Sequence, residues 1–386
     1  MNVAYIPVRG ESKSIPLKNI KPIAGKPLVY WAVKAACECM KIDKVYVSTD
    51  SVEIANVVSG FHFSKLEVIG RSIESATDTA TTEYGMLEFA QNNVYENIAL
   101  TQATSPLLTA SDLENGFTLL SQDGVDSVLS VVHQKRFIWE DTSDGYSVPS
   151  NYDYLNRPRR QDFNGFLVEN GAFYITSRAA LQQSRCRISG RIKTVLMPQE
   201  SYIELDEPED WSIVEMLLKK RASLSLPIIK MFLADCDGTL TDAGMYYSSD
   251  GEKMKKFNTR DGMGLRLLKE NGIVTGIITS EVSEAVSKRA EKIGVDELLM
   301  GVADKGNAIS ELCSKYGIDK RDVAFIGDDL NDMEAIISVG FGFCVNDAVE
   351  QVKRVADYVT SLPGGCGAVR EAADLIIERA SATLDS

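Results

Sequence analysis

The chain has 386 residues, of which 44% are hydrophobic and 25% charged. That is a globular composition, long enough for two or three domains and for a core that needs no covalent staples. Its 55 acidic residues outnumber 41 basic ones, leaving a net charge of -14, which excludes a dedicated nucleic-acid binder because a phosphate backbone would repel it.

Only His62 and His133 are present, so acid–base and metal chemistry must fall to carboxylates rather than to histidine clusters. The seven cysteines, Cys37, Cys39, Cys186, Cys236, Cys313, Cys344 and Cys366, are odd in number and form no C-x-x-C pair. Reduced thiols in a cytoplasmic protein are expected. MNVAYIPVRG is not a signal-peptide pattern, and no run of 18 apolar residues exists, so neither a leader nor a membrane partner is expected.

In chain order, Val3 to Val8 reads as a buried strand, and Pro27 to Met40 as a helix with Leu28, Ala32, Ala35, Ala36 and Cys39 on one side. Further strands are expected at Lys44 to Ser48, Asn97 to Thr101 and Val125 to Val132, and a long helix from Pro208 to Ala222. Strands alternating with helices imply a parallel α/β sheet. The segment Ser223 to Pro227 (SLSLP) marks a seam. Beyond it the alternation restarts: strands from Ile228, over Gly272 to Ser280, Val323 to Gly327 and Gly340 to Val345. Two domains follow, 1–225 and 228–386.

In the second, FLADCDGTLTD runs a hydrophobic strand into Asp235 and Asp237, and ligands of parallel sheets collect at strand carboxyl ends. Thr279 ends GIITS, Lys305 ends GVADK, and AFIGDDLND supplies Asp328 and Asp329, with Asp332 one turn on. Acids, a hydroxyl and a lysine in this order form a Mg²⁺ phosphoryl-transfer constellation. Two carboxyls two residues apart on a strand share a face.

These motifs resemble the haloacid dehalogenase (HAD) phosphatase superfamily. The resemblance implies Asp235 as nucleophile, Asp237 as acid/base, Thr279 and Lys305 as phosphoryl holders, and Asp235, Asp237 (through its carbonyl) and Asp328 as Mg²⁺ ligands. Between Asp237 and Thr279 there is room for a hairpin and one helix but no cap domain. This is similar to the capless phosphatases of nine- and eight-carbon keto-sugar phosphates, and Phe257 to Gly262 match their FN-x-x-D-G segment. That resemblance implies a homotetramer. Octulosonate (KDO) 8-phosphate phosphatases carry Gly-Arg after the threonine. Here Glu281 and Lys292 match the nonulosonate KDN 9-phosphate phosphatases instead, so a nonulosonic acid 9-phosphate is the expected substrate.

In the first domain IPVRGESKSIPLKN places Arg9, Ser12, Lys13 and Lys18 at a strand-to-helix turn able to cradle a triphosphate. It is neither a P-loop nor a G-x-G-x-x-G loop. VSTD, SATDTAT, TQATSP, RPRRQD, ENGAFY and IELDEPED follow in order. Together they resemble CMP-sialic acid synthetases (acylneuraminate cytidylyltransferases) across residues 1 to 220. This implies a nucleotidyltransferase fold, Rossmann-like with a mixed sheet, joined to a C-terminal HAD-like parallel α/β domain without a cap.

By that resemblance Arg9, Ser12, Lys18 and Asn19 contact the triphosphate or base of CTP, and Arg9 and Lys18 stabilise departing pyrophosphate. Arg71 and Thr79 to Thr82 line the nucleotide site. Gln102, Ser105, Arg160, Gln161 and Tyr174 face the sugar acid, and Glu204 and Asp206, read as a strand pair, hold Mg²⁺. Glu204 stands where many members have Asp, and Leu108 where many have Arg. His133 has no partner in the sequence and is read as structural.

The expectation is a bifunctional enzyme: a nonulosonate 9-phosphate phosphatase and a cytidylyltransferase. Two alternatives stand beside it. In one, the second domain is a catalytically silent tetramerisation module; in the other, the sugar is KDO, legionaminate or pseudaminate.

Overall fold

A computed structural model describes the chain apart from residues 11–14, 78, 250 and 385–386 and the side chains of 253 and 382–384. The chain divides into two compact units, Met1–Ile23 with Pro27–Leu217, and Leu218–Ser386 with Ala24–Lys26. The expected seam at 223–227 falls at the end of helix Pro208–Ser225, which continues three residues past Ala222. The Ser223 and Ser225 hydroxyls bond back to Lys220 O and Ala222 O, and Pro227 then bars further helix.

The first unit is built on a seven-stranded sheet in the order Ile192–Leu196, Ser127–Gln134, Phe166–Ser177, Asn97–Thr101, Asn2–Pro7, Lys44–Thr49, Leu66–Gly70. Side-chain alternation divides the central strand between two apolar layers. Ala4 and Ile6 join the layer of helices Leu28–Glu38 and Ala110–Leu120, while Val3 and Tyr5 join that of helix Thr82–Asn92. A strand covered on both faces reads as a continuous apolar run, which is why Val3 to Val8 was legible.

Alternation of strands and helices alone implied parallel pairing; the sheet is mixed, as the nucleotidyltransferase resemblance implied. Phe166–Ser177 runs antiparallel to both Asn97–Thr101 and Ser127–Gln134. Glu169-Asn170-Gly171 interrupts its apolar run at a register shift between Glu169 and Tyr174, with Gly171 in the left-handed region (φ 66°).

The second unit has a six-stranded parallel sheet in the order Glu297–Leu299, Val274–Ile278, Met231–Ala234, Val323–Gly327, Phe341–Cys344, Tyr358–Val359. Met231–Ala234 is central and wholly buried. Between it and helix Thr259–Glu270 the described residues form one hairpin, Thr241–Ser248 with Gly251–Phe257, and no cap domain. All seven cysteines are free thiols. No helix among the described residues is long and apolar enough to cross a membrane.

Candidate active sites

In the second unit three adjacent parallel strands end together, and each delivers a polar side chain at its carboxyl end. Asp235 follows Met231–Ala234, Thr279 follows Val274–Ile278 and Asp328 follows Val323–Gly327. Lys305 is the first residue of helix Lys305–Tyr316, where the capping carboxylate of Asp304 accepts from Asn307 N. Its buried ammonium donates to Asp235 Oδ1 at 2.5 Å and Asp332 Oδ1 at 2.5 Å. Asp332 Oδ2 accepts the backbone N–H groups of Asp328 (2.9 Å) and Asp329 (3.3 Å), so it pins the turn that carries them. Thr239 Oγ1 donates to Asp328 Oδ1 at 3.2 Å.

Asp235, Asp328 and Asp332 each place a carboxylate oxygen within 4.8 Å of the others, and one ammonium faces these three acids. Burial, with Asp332 next, pushes the Asp235 carboxyl up to about 7 despite Lys305; burial, with Asp235 and Asp332, pushes Asp328 up to about 8. Crowded oxygen donors of this kind, two of the three buried, suit a hard divalent cation, which would offset the excess negative charge.

Asp237 stands apart from this trio. Its carboxylate is held by Lys255 Nζ from the hairpin, at 2.6 and 2.8 Å, so its side chain is not among the oxygens gathered for one ion. Thr279 Oγ1 accepts from Glu281 N at 3.3 Å. Glu281 is exposed near the strand end, whereas Lys292 lies in the last turn of helix Glu284–Ile293, roughly 12 Å along it. The FN-x-x-D-G match has a structural role. Buried Asp261 accepts the backbone N–H groups of Gly367 (3.2 Å) and Arg370 (2.9 Å) at the start of helix Ala368–Leu384.

In the first unit Arg9, Lys18, Asn19, Thr82 and Gln102, with Pro7, Ala103 and Thr104, line a cavity of about 240 Å³. Lys18 follows Leu17, which adopts a left-handed conformation (φ 51°). Its Nζ donates to Leu205 O (3.0 Å) and Asp206 Oδ1 (3.2 Å). Asn19 Nδ2 bonds to Arg9 O at 3.1 Å, tying the two ends of the loop.

Glu204 and Asp206 do not form the expected strand pair. They flank Leu205 in a segment without strand pairing, where Leu205 N–H bonds to Thr104 O at 3.0 Å. Alternation survives in part: Leu205 is buried, Asp206 is exposed and Glu204 is half-buried. Burial and then Asp206 raise the Glu204 carboxyl, and Lys18 opposes them. A Cβ on Gly171 would lie 2.7 Å from Glu204 Oε1, so glycine there lets the carboxylate rest against the strand.

The remaining candidates are more dispersed. Ser12 lies outside the described residues. Arg71 is committed to Ser75, with Nε 3.3 Å from Ser75 Oγ and a further bond to the Ser75 carbonyl. Thr79 is exposed, 3.5 Å from the Thr77 hydroxyl. The Ser105 hydroxyl is buried and has no hydrogen-bond partner among the described residues. Tyr174 packs in the helix Thr82–Asn92 layer and donates to Glu169 Oε2 at 3.0 Å, with Arg187 5.1 Å from its ring. Arg160 and Gln161 are exposed, with Lys135 Nζ 3.2 Å from Gln161 O. Arg71, Ser105, Arg160, Gln161 and Tyr174 are not among the described residues lining the cavity.

Lys255, bonded to Asp237, is the side chain at this site that motif reading missed, and Asp332 was noted without a role. The signal for Lys255 was its three-residue spacing from Glu252, which reads as an ordinary surface pair until the hairpin folds it inward.

A cytidylyltransferase family model matches residues 3–154 and a haloacid dehalogenase-like hydrolase model matches residues 297–364. The chain is similar to an N-acylneuraminate cytidylyltransferase of Oncorhynchus mykiss, 34% identical over 385 residues, covering 97% of this chain and 88% of that protein. It is similar to the 3-deoxy-D-manno-octulosonate 8-phosphate phosphatase KdsC of Escherichia coli (strain K12), 39% identical over 149 residues, covering 39% of this chain and 79% of that protein. A crystal structure of the Moraxella catarrhalis 3-deoxy-D-manno-octulosonate 8-phosphate phosphatase in complex with magnesium ion, phosphate ion and KDO matches with 38% identity and a TM-score of 0.41. It covers 43% of this chain and 99% of that one.

Proposed function

We propose that this chain, which belongs to the N-acylneuraminate cytidylyltransferase family and in its C-terminal part to the 3-deoxy-D-manno-octulosonate 8-phosphate phosphatase family, catalyses two consecutive steps on a nonulosonic acid. It removes phosphate from the sugar acid 9-phosphate, then transfers CMP from CTP to the free acid with release of pyrophosphate. The observation that carries the phosphatase half is the assembled cluster at the strand ends. A nucleophile position kept 2.5 Å from a buried lysine and beside two further acids is not what a silent assembly module needs.

In the first reaction Asp235 attacks phosphorus, with Thr279 and Lys305 holding the phosphoryl oxygens so that two anions can approach. Asp237 protonates the leaving sugar oxygen, then takes a proton from the water that hydrolyses the aspartyl-phosphate. Asp235 and Asp328, with the Asp237 carbonyl, would hold Mg²⁺, which when bound neutralises charge on the phosphoryl group. Asp332 keeps Lys305 and the Asp328 turn in place.

In the second reaction the anomeric hydroxyl attacks the α-phosphate of CTP. Arg9 and Lys18 stabilise departing pyrophosphate, Asn19 and Thr82 contact the nucleotide, and Gln102 and Ser105 contact the sugar. Glu204 and Asp206 are the candidates for the second Mg²⁺, and Lys18, bonded to Asp206, links the triphosphate loop to them.

The finer assignments belong to the same proposal. The sugar acid is N-acylneuraminate or KDN rather than KDO, on the strength of Glu281. The assembly is a homotetramer, supported by a hairpin that exposes Met245, Tyr246, Tyr247 and Met254. The location is cytoplasmic, supported by seven free thiols.

The test incubates wild type and Asp235→Asn with Mg²⁺ and a panel of keto-sugar phosphates and measures phosphate release. No release by wild type from any nonulosonate 9-phosphate sinks the phosphatase claim. CTP with the free acids, followed by pyrophosphate release, tests the other half. Arg9→Ala should abolish pyrophosphate release and leave phosphate release within about twofold; loss of both together would refute two separate sites.

A further inference from the structure

Asp237 is the acid of the D-x-D-G loop that the carboxylate trio leaves out, and its partner comes from a different element. Lys255, on hairpin strand Gly251–Phe257, is fully buried at its side chain and donates to both Asp237 oxygens, at 2.6 and 2.8 Å. Behind it stands Glu252, with Oε2 3.5 Å from the same ammonium. Glu252 Oε1 accepts from Ser283 Oγ at 2.6 Å. Ser283 occupies the N-cap position of helix Glu284–Ile293, yet its side chain makes no capping bond there. Its hydroxyl is committed to Glu252 instead. A brace therefore runs Asp237–Lys255–Glu252–Ser283, from the acid/base to the segment just after Glu281.

We propose that Lys255 is a positioning residue for the phosphatase step, holding the Asp237 carboxyl so that its proton faces the departing oxygen of an alkyl phosphate. The inference rests on Asp237 acting as the acid. An ammonium donates hydrogen bonds and accepts none. A protonated Asp237 therefore cannot point its O–H at Lys255. Both Asp237 oxygens accept from Lys255 in the structure, so acting as the acid requires one of them to leave Lys255 and carry its proton toward the departing oxygen while the other keeps its bond. As the Asp235–phosphorus bond forms and the phosphorus–oxygen bond of the ester breaks, that proton passes to the sugar oxygen and Asp237 becomes a carboxylate. It regains a proton from the water that hydrolyses the aspartyl-phosphate. Burying a lysine is costly unless it is paired on all sides. Glu252 and Ser283 complete that pairing, so the brace needs all its members.

A lysine that only stapled the hairpin would affect every substrate alike. A lysine that aims the acid matters in the first step, departure of the leaving group, when that group needs a proton, as an alkoxide does, and matters little there when it does not, as with p-nitrophenolate. Hydrolysis of the aspartyl-phosphate is common to both substrates and is kept out of the comparison. Wild type, Lys255→Met, Lys255→Arg and Ser283→Ala are compared on N-acetylneuraminate 9-phosphate, KDN 9-phosphate and KDO 8-phosphate, and on p-nitrophenyl phosphate, with pyrophosphate release from CTP and circular dichroism as folding controls. Lys255→Met should lower the single-turnover rate of leaving-group release from the sugar phosphate that wild type turns over by about a hundredfold, the lower end of a lost general acid, and from p-nitrophenyl phosphate by about threefold at most. Lys255→Arg should recover part of the sugar-phosphate rate.

An equal loss on both substrates, or no loss on either, overturns the proposal. If Lys255→Met does not fold, Ser283→Ala carries the test. It should show the same selectivity at three- to tenfold, and an unselective effect there is equally fatal. If wild type releases phosphate from none of the three sugar phosphates, it is the phosphatase reading that fails, and this inference with it.

Discussion

Gly171→Ala tests the transferase site at a point where stability and activity should separate. Gly171 has φ 66°, and an added Cβ would meet Glu204 Oε1 at 2.7 Å, where ordinary contact begins at 3.4 Å. The left-handed conformation costs an alanine about 1–2 kcal/mol, which in a domain of this size lowers Tm by roughly 2–8 °C. The steric contact adds little to that, because a carboxylate at the end of a flexible side chain can move aside. Glu204 then retreats by about 0.7 Å, and a displacement near 1 Å at a reacting centre costs up to about a hundredfold in rate. Pyrophosphate release should fall ten- to a hundredfold while the folded fraction at 25 °C, read by circular dichroism, stays unchanged. Phosphate release by the same preparation should stay within about twofold. Wild-type pyrophosphate release from a folded Gly171→Ala protein would refute the role given to Glu204.

Three other outcomes follow from the same geometry. Mg²⁺ at a hundred times its Kd should raise unfolding free energy by about 2.7 kcal/mol; thermal unfolding should show a Mg²⁺-dependent rise in wild type that shrinks sharply in Asp328→Asn. In metal-free protein the raised Asp235 and Asp328 carboxyls, at about 7 and 8, hold more protons folded than unfolded, so stability should fall as pH rises from about 4 to 8; a denaturation series with EDTA checks the sign. Glu83 shows the opposite case. Burial, the largest single influence, would raise its carboxyl, but the hydrogen bond from Arg187, at 2.5 Å, backbone hydrogen bonds and the Arg187 charge together outweigh it and hold it low. The denaturant midpoint gap between wild type and Glu83→Gln should be full at pH 7 and close as pH falls through that lowered value.

The sequence by itself determined the local and periodic features. Apolar runs buried on both faces announced the central strands, and acids placed directly after such a run announced a strand-end site, because chain adjacency fixes both. Arg9, Lys18, Asn19, Thr82 and Gln102 were named from three segments and meet at one cavity; Asp235, Thr279, Lys305 and Asp328 were named from four, and meet at neighbouring strand ends.

Tertiary structure decided whatever depends on which distant segment lies alongside. Phe166–Ser177 enters its sheet antiparallel because its neighbours, not its own residues, set direction. Glu204 and Asp206 lie on no strand; one bond from Leu205 N–H to Thr104 O anchors the segment between them. Lys255 and Asp332 look like surface charges in sequence, and only folding buries Lys255 against Asp237, 18 residues away, and Asp332 against Lys305, 27 residues away. A charge pair is written by proximity in space, and the hydrophobic pattern that positions its carriers does not say which charges will meet.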